Sequence, residues 1–123
     1  MTWPASASAF TDVAATRDLP EGALLGVILA DGTSVCLYND GGTIGAIGGV
    51  CTHAEFAMAE GTLRRDGTIE CAWHGARFDC RTGGVRRHPA VEPLPIYAVR
   101  VVNDRVLLRP SIPFDIETKE RSA

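Results

Sequence analysis

Two short segments carry the residues able to do chemistry: Cys51-Thr-His53 and, after seventeen intervening residues, Cys71-Ala-Trp-His74. Each pairs one thiol with one imidazole a few positions on. Together they supply two thiolates and two imidazoles, enough for one metal centre. A [2Fe–2S] cluster with two cysteines on one iron and two histidines on the other needs this inventory. Each loop can give one ligand to each iron, the second loop mirroring the first. Structural zinc sites also use two Cys and two His, but usually pair like with like. The mixed pairs here favour iron, with a zinc-stabilised interaction domain as the non-redox alternative. A catalytic cysteine needs one thiol and a separate base, and leaves the duplication unexplained.

The flanking residues sharpen the reading. After His74 come Gly75-Ala76-Arg77-Phe78-Asp79, then Thr82-Gly83-Gly84, then Pro89-Ala90. This pattern resembles the Rieske ferredoxin family, whose cluster loops read roughly C-T-H and C-P-W-H-G-x-x-F-D, followed by T-G and P-A. The resemblance spans about residues 11–109. Ala72 departs from the family's usual proline, at a position that is not a ligand. The resemblance implies that Cys51, His53, Cys71 and His74 hold the irons of a Rieske-type [2Fe–2S] cluster. It places Phe56, Trp73, Gly75, Ala76, Phe78 and Pro89 around that cluster or in a collar where partners dock. It also implies a histidine edge facing solvent, the exit for the electron.

High-potential members of the family carry a further cysteine in each loop, joined as a disulfide, and a serine and a tyrosine near the sulfurs. The matching positions here are Phe56, Trp73, Ala76 and Phe78. The resemblance therefore implies no such disulfide and no such hydroxyl donors. Hydrogen bonds to the sulfurs stabilise the added negative charge of the reduced state, so their absence lowers the potential. The expected midpoint is near or below roughly −100 mV.

Short strands must position these loops. Turn signals at Asp31-Gly32, Asn39-Asp-Gly-Gly42, Asp66-Gly67, Thr82-Gly83-Gly84 and Asn103-Asp104 separate β-rich runs. The runs are Leu24–Ala30, Val35–Tyr38, Thr43–Ile47, Thr68–Cys71, Ile96–Val102 and Arg105–Leu108. This predicts an all-β domain of small antiparallel sheets, with a hairpin across Asn103-Asp104 and one short turn near Thr16–Glu21. Residues 49–91 read as a cluster-binding subdomain inserted into a basal sandwich of about 9–48 and 92–109, with a polar tail at 110–123. Cys36 and Cys80 read as small buried hydrophobes. His88 precedes Pro89 and reads as a solvated loop histidine.

The 123 residues suit a single domain. Hydrophobic content of 46% with 22% charged residues is ordinary for a globular chain. No basic stripe supports nucleic-acid binding. No apolar run is long enough to span a bilayer. The N-terminal Met1-Thr-Trp-Pro lacks a basic region followed by an apolar core, so a cytoplasmic protein is expected. Its thiols suit a reducing compartment. The net charge of −3 suggests a basic partner surface.

A catalytic mononuclear iron would need two more histidines and a carboxylate, and only His88 remains. The expectation is a one-electron carrier without a catalytic site of its own. The resemblance implies transfer from an NAD(P)H-dependent flavoprotein ferredoxin reductase to the terminal Rieske oxygenase of a ring-hydroxylating dioxygenase system. The alternative is the small subunit of an assimilatory NADH nitrite reductase. As a carrier, the protein is expected to be a monomer that docks transiently, burying under about 1,200 Å².

Overall fold

Turn residues cut the chain into short strands, and every pairing between them is antiparallel. The computed structural model describes residues 10–51, 57–72, 75–87 and 92–110. Its strands are β1 (Thr11–Ala15), β2 (Leu24–Ile28), β3 (Ser34–Asp40), β4 (Thr43–Gly48), β5 (Thr62–Leu63), β6 (Thr68–Glu70), β7 (Arg77–Asp79), β8 (Val85–Arg87), β9 (Ile96–Val102) and β10 (Arg105–Pro110). Single 3-10 turns lie at Thr16–Asp18 and Met58–Glu60. Six strands form one sheet in the order β1-β10-β9-β4-β3-β2, and four form a second in the order β5-β6-β7-β8.

Strand β3 decides how the two sheets meet. Its residues Val35 to Asn39 are all buried. Side chains alternate between the faces of a strand. Val35 and Leu37 join Ala14, Leu19, Ala46, Val106 and Leu108 in one core. Cys36 and Tyr38 point the other way and pack with Ile47, Met58, Ile69 and Phe78. Strand β4 repeats the division, Ala46 on one side and Ile47 on the other. The large sheet therefore encloses its own core on one face. On the other it carries the small sheet, whose Ile69 and Phe78 are 0% exposed.

Tight turns hold the registers. The β9–β10 hairpin reverses at Asn103 and Asp104, with φ of 51° and 65°. Both central residues of such a turn need φ > 0, and Asn and Asp tolerate this better than other side chains. Arg105 then pairs with Val102, and Pro110 with Tyr97. At the end of β3, Asn39 is buried but fully engaged. Its amide donates to the Leu19 carbonyl at 2.8 Å, and its carbonyl accepts from the Gly42 N–H at 2.8 Å.

The all-β class, the Asn103-Asp104 hairpin and the turn after Thr16 match the reading of the sequence. Strand boundaries differ. Strand β2 stops at Ile28 because Leu29 turns back, its N–H donating to the Thr33 carbonyl at 2.8 Å. Strand β3 is longer than Val35–Tyr38 at both ends, since the turn residues Asn39 and Asp40 still pair with Ile44 and Thr43. Strands β1, β5, β7 and β8 have two to five residues each and show no apolar periodicity. Pairing creates them, not pattern.

Leu37 tests the core that lies away from the small sheet. Leu37→Ala should cost about 2–5 kcal/mol, read as a lowered urea midpoint with an unchanged slope. A loss under about 0.5 kcal/mol would mean that this core is not packed as described.

Candidate metal centre

Both motif cysteines open loops of equal length. Val50 bridges to Ala57, closing residues 51–56 into a six-residue loop. The Met58 N–H donates to the Gly49 carbonyl at 2.9 Å and fastens its base. In the small sheet Glu70 pairs with Arg77, closing a second six-residue loop at 71–76. Within it the Cys71 N–H donates to the Ala76 carbonyl at 2.7 Å, and the Gly75 N–H to the Cys71 carbonyl at 3.1 Å.

Cys51 and Cys71 are each 1% exposed, and both belong to the core between the sheets. Neither is in a disulfide. Two thiols thus converge on one dry region, each at the first position of a loop that carries a histidine two or three residues later. Thiolates inside, with imidazoles further along each loop, suit a [2Fe–2S] cluster with one all-sulfur iron and one histidine iron. His53, Phe56, Trp73, His74, His88 and Pro89 lie outside the described residues.

Gly75 has φ of +76°. A Cβ there would lie 3.2 Å from Glu70 Oε2 and 3.9 Å from Arg87 Nη1. Glycine therefore meets two demands at once: a left-handed backbone and a close approach to a charged side chain. Ala76 and Phe78 are both 0% exposed. They line this core without offering a hydroxyl. Tyr38 does bring a hydroxyl into it, on the side of the Cys80 thiol, and the two groups influence each other's protonation. Burial pushes the Tyr38 hydroxyl and the Cys80 thiol up, and pushes the Cys36 thiol up to about 12. Cys36 and Cys80 thus stay protonated near neutral pH, the small buried hydrophobes expected.

One cluster of side chains escaped the sequence reading. Glu70, directly before Cys71, accepts from Arg64 Nη1 at 2.8 Å and lies 3.6 Å from Arg77 Nε. The sequence signal was a carboxylate beside a candidate ligand, with arginines on both sides. Its meaning depends on strand register, which residue types alone do not disclose.

The Rieske [2Fe-2S] domain profile matches residues 9–98. The chain belongs to this family. A relative from Shigella boydii serotype 4, the 3-phenylpropionate/cinnamic acid dioxygenase ferredoxin subunit, is 36% identical over 91 residues, covering 74% of this chain and 84% of its own. The ferredoxin of carbazole 1,9a-dioxygenase from Nocardioides aromaticivorans IC177 superposes with a TM-score of 0.76 at 34% identity, covering 85% of this chain and all of its own. A ferredoxin solved in complex with reduced oxygenase in carbazole 1,9a-dioxygenase gives 0.77 at 28% identity, covering 84% and 96%. A nitrite reductase small subunit from Mycobacterium tuberculosis gives 0.72 at 27%, covering 85% and 97%. Like the relatives that are named ferredoxins, this protein is an electron carrier built on a Rieske-type [2Fe–2S] cluster. Among the described residues no helix is long and apolar enough to cross a membrane.

Gly75→Ala should destabilise the protein by about 1–2 kcal/mol, the left-handed penalty of an L-residue. Gly75→Asn should recover part of the loss, because Asn visits that region more readily. Equal denaturation midpoints for wild type and Gly75→Ala would contradict the strained turn at the base of the second loop.

Proposed function

We propose that Cys51 and Cys71 bind one iron of the cluster and His53 and His74 the other. The observation that carries this reading is the pair of buried thiols, in no disulfide, at the first positions of two equal loops. When bound, the cluster takes up and releases one electron at a time. The chain's own residues do the rest. The cores on either side of β3 hold the bases of both loops, Val50–Ala57 and Glu70–Arg77. The packed apolar side chains around Cys51 and Cys71 keep water from the thiolates. Ala76 and Phe78 give the sulfurs no hydroxyl donor. This keeps the midpoint low, near or below roughly −100 mV. His53 and His74 each have a second ring nitrogen to turn toward a partner. Phe56, Trp73 and Pro89 form the apolar collar there. Residues 49–91 are the cluster-binding part and the remaining strands the base.

In the cell this protein carries single electrons from an NAD(P)H-dependent flavoprotein reductase to the terminal oxygenase of a ring-hydroxylating dioxygenase system. The relatives named as dioxygenase ferredoxins support this reading. It acts in the cytoplasm, as a monomer with transient docking. A second reading, the small subunit of a nitrite reductase, has the likeness of fold to the Mycobacterium tuberculosis protein in its favour. Stable co-purification with a large sirohaem flavoprotein would select it; exchange between two separate proteins selects the first.

Cys51→Ala should abolish the native visible spectrum and the bound iron. His53→Cys or His74→Cys should lower the potential or lose the cluster, since a thiolate adds a negative charge where a neutral imidazole stood. Redox titration of the wild type checks the potential. A midpoint above about +100 mV, or a normal spectrum in Cys51→Ala, would overturn the assignment.

A further inference from the structure

The small sheet presents two unlike faces. Leu63, Ile69, Phe78 and Val85 face the core. The register places Thr62, Glu70, Arg77 and Arg87 in one row across β5, β6, β7 and β8, on the opposite face. Arg64 reaches the same row through Glu70. Glu70 therefore stands among three guanidinium groups: Arg64 at 2.8 Å, Arg77 at 3.6 Å, and Arg87, whose Nη1 is 3.9 Å from the Cβ position of Gly75 while Glu70 Oε2 is 3.2 Å from it. Asp66 also lies within Coulombic reach of Arg64 and Arg77, so two carboxylates face three cations and the row keeps one positive charge in surplus. Arg87 is exposed and forms no ion pair among the described residues. Next to it Arg86 is also exposed, paired with Asp79 at 3.0 Å.

The row adjoins the second loop, because Glu70 precedes Cys71 and Arg77 follows Ala76. The net charge of −3 does not describe this end of the molecule. Residues 49–91 hold six arginines against five carboxylates, whereas the rest of the chain holds six basic and ten acidic residues. The acidic surplus belongs to the other segments. Within a Debye length of about 8–10 Å, an approaching partner meets the local charge rather than the total.

We propose that this arginine face docks a carboxylate-rich surface of the electron donor, the flavoprotein reductase; the proposal rests on the carrier reading above. The donor's reduced flavin gives up one electron and the centre beside the row gains it. That electron adds a negative charge next to the arginines. The attraction for a carboxylate-rich partner therefore falls once transfer is complete, which favours release of the reduced carrier. An acceptor must bind the reduced form, so the electrostatics assign the face to the donor.

The test is stopped-flow reduction of the oxidised holoprotein by flavodoxin hydroquinone, an acidic flavoprotein probe, across a range of ionic strength. The wild-type rate should fall as salt rises. Arg87→Glu should slow reduction about tenfold at low salt and erase the salt dependence. Arg65→Glu makes the same change of net charge at the exposed β5–β6 turn, outside the row, and should stay close to wild type. A wild-type rate that rises with salt, or equal effects of the two substitutions, would overturn the proposal. Failure of the carrier reading looks different: the protein would show no cluster absorbance to bleach at any salt concentration.

Discussion

Two thiols twenty residues apart must enter one dry core, and the fold is organised around that demand. A two-sided strand meets it. Strand β3 is buried on both faces, so it ties the enclosed core of the large sheet to the interface with the small one. Met58, Ile69 and Phe78 pack against its Cys36 and Tyr38 face. They bring along the two loop bases, Val50–Ala57 on one side and Glu70–Arg77 on the other. Burial of a thiol pair makes sense when a metal takes over the sulfurs, since a bound metal joins its affinity to the stability of the fold.

The same geometry separates two kinds of charge. Among the described core residues, Cys36, Cys80 and Tyr38 are all held protonated by burial. Outside, directly across the small sheet from Phe78, lie Arg77 and its neighbours. A thin sheet thus divides an apolar, hydroxyl-poor core from a guanidinium-rich surface. The first environment governs how readily an electron is accepted. The second governs which partners approach. A total charge of −3 hides this division.

What was legible in the sequence is what chemistry restricts to few residue types. The spacing of Cys51 and Cys71 stood out, and both are buried in one core, while the paired His53 and His74 lie outside the described residues. A turn with two left-handed residues must use Gly, Asn or Asp, so Asn103-Asp104 marks its hairpin. The double burial of β3 was not legible. Val35-Cys-Leu-Tyr38 is an unbroken apolar run, and such a run does not say which core each residue enters. Strands β5, β7 and β8 are too short for a periodic signal. The Arg64–Glu70–Arg77–Arg87 row exists only once register is known, because its members are scattered over twenty-four positions.

The central claim is mixed ligation of one centre by both loops. Pulsed EPR of the anaerobically purified, dithionite-reduced protein, with iron and sulfide quantified on the same sample, tests it most directly. The account predicts one [2Fe–2S] cluster per chain with nitrogen couplings from two coordinated imidazoles, and loss of the cluster in Cys71→Ala. A cluster without nitrogen couplings, or stoichiometric zinc in place of iron that reconstitution does not reverse, would contradict it.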